Sequence, residues 1–304
     1  MTTSDLRTHD LTGAATTRDA ATAVGAVPAR ESRARGVTRG ARIRGHLVLA
    51  TIAVACGFPI YWMVATALRR PEDQYSLAPL PWPLSFQNFA DAGAQTDVVR
   101  LLLNTCAVAT GSMVAQLLVA LLAAYGFAVF EFRFKGLLYL GFVGTWLVPF
   151  QVTMLPNYVL LQQLGLLNTL AGVVMPTMCS ALAVLMLRQH LESFPKELVT
   201  AAELDGRGSW SILWTVVVPN LRPALAALGI LLFINAWNEY FWPAMILQRA
   251  GSVVQIGLRS FMTAEGTNWG AMMALAGMTC LPVFVLYLLM QRHVVNAFVR
   301  SGLK

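Results

Sequence analysis

The sequence predicts an all-α integral membrane protein with six transmembrane helices and both termini on the cytoplasmic side, and three observations predict it. First, of 304 residues 57% are hydrophobic and only 12% charged, with a mean hydropathy of +0.60. Ordinary globular domains carry about 25% charge, so disorder is excluded and a soluble enzyme disfavoured. Second, the charges are segregated: windows 47–67, 101–129, 137–161, 170–187, 223–247 and 271–290 together hold one charged residue, Glu239. Each can cross a ~30 Å hydrocarbon core, which takes about 20 helical residues, and most lack the polar stripe of a soluble amphipathic helix. Third, with the N-terminus inside, the inner segments hold fifteen Lys and Arg and the outer loops five, as retention of positive charge on the cytoplasmic side requires.

In chain order, 1–45 is rich in Ala, Thr, Gly and Arg without apolar periodicity and is read as a flexible cytoplasmic tail. The six-span domain follows over 46–304, with its core at 100–292. The first span, 47–67, is preceded by 46 residues, too long a lead for a cleaved signal peptide. The formal charge of +7 is then mostly topology. It gives no reason to expect nucleic acid as a partner, although arginines 30–44 also suit contact with anionic membrane lipid.

The first outer loop, 68–100, carries Pro71, Pro79, Pro81 and Pro83 among Tyr75, Trp82, Phe86 and Phe89, and is expected to run extended along the interface. The second outer loop, 162–169, is short and uncharged, so its flanking spans form a tight antiparallel hairpin. The four cysteines, Cys56, Cys106, Cys179 and Cys280, lie one to a span and are expected as packing residues. The four histidines lack ligand spacing, so no metal site is expected.

The inner loop 188–222 differs in kind. Pro195 suits a first helical turn, Glu197 lies near that helix's positive end, and Leu198, Ala201, Ala202 and Leu204 form an apolar side. Gly206 is a helix stop, and a second helix is expected from Ser209 to Val218, ending before Pro219. A helix, a glycine turn and a helix at the inner surface make either a rigid lever for an external protein or a packing elbow between two spans.

This run resembles the cytoplasmic signature loop of importer-type ABC permeases: Glu-Ala-Ala, three residues, Gly, nine residues, then Ile, any residue, Leu-Pro. Ala201, Ala202, Gly206, Val216, Val218 and Pro219 stand at those positions, and Asp205 matches the Asp-Gly pair of the sugar branch. The motif's glutamate position is Thr200, with Glu197 and Glu203 nearby as substitutes. The stretch Phe233-Ile234-Asn235-Ala236-Trp237-Asn238-Glu239-Tyr240-Phe241-Trp242-Pro243 resembles the fifth span of carbohydrate-importing permeases related to the maltose inner-membrane subunit. It is also similar to the glycerol 3-phosphate branch.

The resemblance, over roughly 47–304, implies a type I (MetI-like) ABC importer permease bundle and a multi-pass place in the cell membrane. It implies four kinds of partner: a second homologous permease subunit making a heterodimer, a cytoplasmic ABC ATPase dimer, an extracytoplasmic solute-binding protein and membrane lipid. The loop would seat on the ATPase. The chain has no Gly-rich loop ending in Lys-Ser or Lys-Thr, so it is read as a transport subunit without catalytic residues or cofactor, ATP and Mg being held by the partner ATPase subunits.

In the fifth window, Asn235, Asn238, Glu239 and Trp242 are spaced by three, four and seven, which on an unbroken helix is one face. A carboxylate and two amides are costly against lipid and are expected to line a solute path, or else to bond between helices. Amide and carboxylate groups pair with sugar hydroxyls, and an indole such as Trp237 packs on a sugar's apolar face. Gln151 and Asn157, beside Pro149 and Pro156, are further candidates in the third window. No Lys or Arg falls within a span, which favours a neutral sugar or polyol over glycerol 3-phosphate or a glycerophosphodiester. An ion-coupled secondary transporter would show internal repeats, and a polytopic membrane enzyme a catalytic constellation; neither is visible.

Overall fold

Nearly every described residue outside the loops is helical in the computed structural model, which describes residues 39–247, 253–263 and 266–301. Helix α1, Arg39–Ala67, begins inside the segment read as a tail; 1–38 lie outside the described residues. One structural unit ends at Val54 within α1, and a second begins at Ala55 and holds the remaining elements.

The first outer loop is not extended throughout. It contains α2, Gln87–Gln95, which buries Asn88 and Ala92. Ser85 supplies the local reason, its hydroxyl accepting from the Gln87 amide at 3.2 Å, a turn that starts the helix. Asp97 then caps α3, Val98–Val129, accepting from the Arg100 amide at 3.0 Å.

The third and fourth windows are broken rather than straight. Helix α4, Lys135–Gly144, runs on through a turn at Thr145–Leu147 and bends by 96° into α5, Phe150–Gln163. Pro149 stands at the break as the residue preceding α5; it cannot donate to a helix arriving from α4. Helix α6, Leu170–Val174, and its continuing turn Met175–Thr177 bend by 51° into α7, Ala181–Glu192, which Ser180 caps. Among the described residues, four helices are long and apolar enough to cross a membrane uninterrupted, and six if each bent pair is one span. The connection 162–169 turns tightly, with Gly165 at φ 68° and Asn168 at φ 59°.

Helix α8, Lys196–Leu204, follows Pro195 as expected, and α9, Ser209–Ile212, follows the glycine turn. The expected stop before Pro219 is absent. A π-turn at Leu213–Val217 leads into α10, Val218–Asn238, so the helix is continuous over Ser209–Asn238. The wide turn sits where Pro219 cannot donate to the preceding turn, and Thr215 and Asn220 side chains bond back to Ser211 and Val216 carbonyls at 2.7 Å each.

Helix α11, Phe241–Ile246, and α12, Val254–Arg259, lead to a two-residue antiparallel pair, β1 (Met262–Thr263) with β2 (Gly266–Thr267). Asn268 then caps α13, Trp269–Ser301, accepting from the Ala271 amide at 3.1 Å. The main core lies where α3, α7 and α10 meet. Ala120 and Ala124 of α3 and Ala183 of α7 have no exposed surface and stand among Leu187, Val217 and Leu228. Such small residues let helix backbones approach closely where lipid offers no hydrophobic drive between helices.

Candidate functional site

Two places carry the residues singled out above. At the first, α8 is anchored on one side and free on the other. Ala202 is buried beside Ile212 and Leu213, while Glu197, Thr200, Ala201, Glu203 and Asp205 are exposed. Leu204 is 85% exposed at the end of the helix.

The turn is closed by backbone bonds. The amides of Asp205, Gly206 and Arg207 donate to the carbonyls of Ala201, Glu203 and Ala202 at 3.0, 2.9 and 3.1 Å. Gly206 has φ +77°, left-handed backbone that a Cβ disfavours, which is the physical reason for glycine here. Arg207 donates to the Thr215 hydroxyl at 3.0 Å, across the turn, and the Tyr125 hydroxyl donates to the Ser209 carbonyl at 3.1 Å. The loop is therefore pinned to α3 as well as to its own second helix.

The second place is a cavity of about 150 Å³ between α3, α6 with its turn, α10 and α11. Its polar lining is Ser112, Gln116, Thr177, Asn235 and Glu239, with the Trp242 ring and Val108, Val173, Ala236 and Pro243 as apolar wall. No Lys or Arg is among these lining residues.

The expected single helix face is not what assembles it. Helix α10 stops at Asn238, Glu239 is extended at φ −69° and ψ 126°, and Trp242 belongs to α11. Pro243 explains the break, since it cannot donate to the Glu239 carbonyl. The Glu239 carboxylate bridges the interruption by accepting from the Trp242 amide at 3.3 Å. The Trp242 indole N–H donates to the Val173 carbonyl at 3.0 Å, and its ring meets Phe150 edge-on at 5.5 Å. This locks one wall of the cavity.

Of the seven solute-path candidates, Asn235, Glu239 and Trp242 line the cavity and four do not. Trp237 is buried and stacked on Phe233 at 5.6 Å, a core role that follows from pointing away from Asn235 on the same helix. Asn238 is exposed and turns its amide back to the Ile234 carbonyl at 2.9 Å. Gln151 is exposed on α5 outside the lining, and Asn157, half-buried on the same helix, is outside it as well. Ser112, Gln116 and Thr177 join the lining without having been singled out. Ser112 and Gln116 stand one helical turn apart in a charge-free window, and that spacing was the available signal.

Residues 116–300 match the family described as "Binding-protein-dependent transport system inner membrane component". Over 275 residues the chain is 32% identical to the sn-glycerol-3-phosphate transport system permease protein UgpE of Yersinia pestis, covering 86% of this chain and 98% of that one. It is 31% identical over 257 residues to the lactose transport system permease protein LacG of Rhizobium radiobacter, covering 84% and 94%. Among solved structures it is similar to a chain of a bacterial ABC transporter involved in the import of the acidic polysaccharide alginate. That likeness has a TM-score of 0.74 at 23% identity and covers 84% of this chain and 98% of the other.

Proposed function

Given that this chain belongs to the family of binding-protein-dependent transport system inner membrane components, and is a permease subunit of an ABC importer in the cell membrane, we propose that it passes a neutral sugar or related polyol. The observation that carries the solute class is the lining of the 150 Å³ cavity: hydroxyl, amide, carboxylate and indole groups without a cation among them. Such groups match a polyhydroxylated ligand. A phosphate favours a cationic partner.

In this reading each bent helix pair is one span, giving six spans with both termini inside. Residues 1–45 form a cytoplasmic tail and 46–304 the permease domain. The chain pairs with a second, homologous permease and receives solute from an extracytoplasmic binding protein. ATP is bound with Mg and hydrolysed on a cytoplasmic ATPase dimer. The loop 188–222 couples that dimer to the spans, with Glu197, Thr200, Ala201, Glu203, Asp205 and Gly206 on its docking side, Ala202 holding α8 to the core and Pro219 in the arm leading to α10.

The test is uptake into proteoliposomes holding both permeases, the ATPase dimer and the binding protein. Labelled neutral sugars are expected to enter on ATP and to outcompete glycerol 3-phosphate; entry of glycerol 3-phosphate alone would reverse the assignment. That second reading has its own support in the identity to UgpE. The competition decides between them.

A further inference from the structure

The segment joining α1 to α2 carries no charge from Gln74 to Ala90. Within it Leu80, Trp82, Leu84 and Phe86 are each between 55% and 84% exposed, while Pro81, Pro83 and Ser85 between them are half-buried. Every second side chain thus stands away from the protein, and each of these is large and apolar. A segment folded for water does the reverse, keeping such side chains inward and giving its outward positions to polar groups. An apolar row of this kind marks a surface that something else covers.

Its depth is fixed by α1. The Arg69 guanidinium donates to the Ala78 carbonyl, the Ser85 amide to the Leu68 carbonyl at 2.9 Å, and the Asn88 amide to the carbonyls of Thr66, Ala67 and Arg69. Both ends of 78–85 are therefore tied to the exit of a helix long and apolar enough to cross a membrane. Trp82 is three residues from Ser85, so it lies within about 11 Å of that anchor. The interfacial layer has a similar scale, roughly 5–8 Å on each side of the hydrocarbon core. In its preceding turns α1 exposes Phe58, Ile60, Tyr61 and Val64, so the row continues the apolar surface of a membrane-crossing helix.

The backbone also suits a dry neighbour. Pro79, Pro81 and Pro83 have no N–H to satisfy. The amides of Ala78 and Trp82 donate to the Ser76 hydroxyl at 3.2 Å and the Leu80 carbonyl at 3.0 Å, and that of Ser85 is already spent on Leu68. Water makes no such demand on a chain, whereas the edge of the hydrocarbon does. A docking protein would draw on a polar rim and direct hydrogen bonds; this segment offers few donors and no charge.

We propose that Leu80, Trp82, Leu84 and Phe86 are seated in the headgroup layer of the lipid bilayer, as a strap that holds the exit of α1 at a fixed depth. Indole rings are favoured in that layer because one edge is polar and the body apolar. With no Lys or Arg in the strap, its seating does not depend on anionic lipid. The proposal rests on membrane residence alone and not on the identity of the solute.

The experiment places both permeases and the ATPase dimer in phosphatidylcholine nanodiscs, with and without the binding protein. This chain carries Cys56→Ala, Cys106→Ala, Cys179→Ala and Cys280→Ala. It receives one nitroxide label at a time through Leu80→Cys, Trp82→Cys, Leu84→Cys, Phe86→Cys or, as the water-facing reference, Glu72→Cys. All five sites are exposed, so the labels displace no core side chain. Collision of each label with oxygen, which partitions into lipid, is compared with collision with a water-soluble nickel chelate.

The oxygen-to-nickel ratio is expected to be several-fold higher at the four strap positions than at Glu72, and to be unchanged by the binding protein. Nickel-dominated collision along the row would place it in water and overturn the proposal. Shielding that appears only when the binding protein is added would overturn it too, making the row that protein's docking surface. Low collision with both reagents would bury the row against the second permease, with the same consequence.

Discussion

Asn88 has no exposed surface, and its amide donates to three carbonyls at the exit of α1: Thr66, Ala67 and Arg69, at 3.3, 3.0 and 2.7 Å. One side chain thus satisfies the orphan carbonyls of a helix end. Gly270 stands against it so closely that a Cβ there would lie 2.3 Å from the Asn88 carbonyl oxygen. Asn88→Ala leaves buried acceptors unpaired, a loss of about 2 kcal/mol. Gly270→Ala forces the same side chain off its partners. Both are expected to lower the thermal unfolding midpoint in detergent, whereas Gly126→Ala, which meets nothing within 4 Å, is not.

At Glu239 charge and geometry separate cleanly. Glu239→Gln keeps an oxygen for the Trp242 amide but removes the carboxylate, and Glu239→Ala removes both. We expect both to alter the solute profile in competition uptake assays, the alanine variant also lowering the rate. Asn238→Ala and Gln151→Ala, outside the cavity, are expected to leave the profile unchanged. A profile moved by Asn238→Ala but not by Glu239→Ala would place the path elsewhere.

Among the elements, the glycine turn is the most constrained. At φ +77°, Gly206→Ala costs about 1 kcal/mol. Proline, fixed near φ −65°, cannot adopt the turn at all. Gly206→Pro is expected to abolish ATP-driven uptake while the chain still inserts in the membrane; unaltered uptake would show that the turn transmits nothing.

The segment between α3 and α4 carries a pH signature of opposite kind. Glu131 is held below its ordinary value of 4.5 by the Lys135 hydrogen bond and charge, with Lys196 adding to it. A depressed carboxyl contributes above the unfolded pKa and loses that contribution as pH falls through the folded one. The Glu131–Lys135 pair is therefore expected to be intact throughout neutral pH and to dissolve only in acid, with a carboxyl titration midpoint below 4.5 by NMR. A midpoint above it would mean that the pair is absent in solution.

For the whole molecule, the proposed function has energy entering from outside the chain, through the loop 188–222 as the proposed contact; the sequence holds no Gly-rich loop ending in Lys-Ser or Lys-Thr. Proteoliposomes with both permeases but no ATPase are expected to show no uptake under an imposed proton or sodium gradient. Sustained uptake there would make this a secondary transporter.

Membrane residence, the candidate crossings and the helix–glycine–helix loop were legible in the sequence, because each depends on composition or on spacing within one helical turn. Segregated charge, Pro195 and the left-handed turn at Gly206 are local facts. The cavity was legible only in part. Asn235, Glu239 and Trp242 could be named, but Trp237 lies on the buried side of α10 away from Asn235, Asn238 turns its amide back on its own helix, and Gln151 lies on α5 outside the lining. A proline in an apolar window is compatible with a mild kink as well as with a full break, and packing selects between them. Ser112 and Thr177 face Glu239 only because α3, the α6 turn and α10 are brought together in space. Sequence by itself determined that this protein lies in the membrane and carries a helix–glycine–helix loop between two of its apolar windows. Tertiary structure decided which polar side chains share a cavity, since residues more than a hundred positions apart meet through packing that no local period encodes.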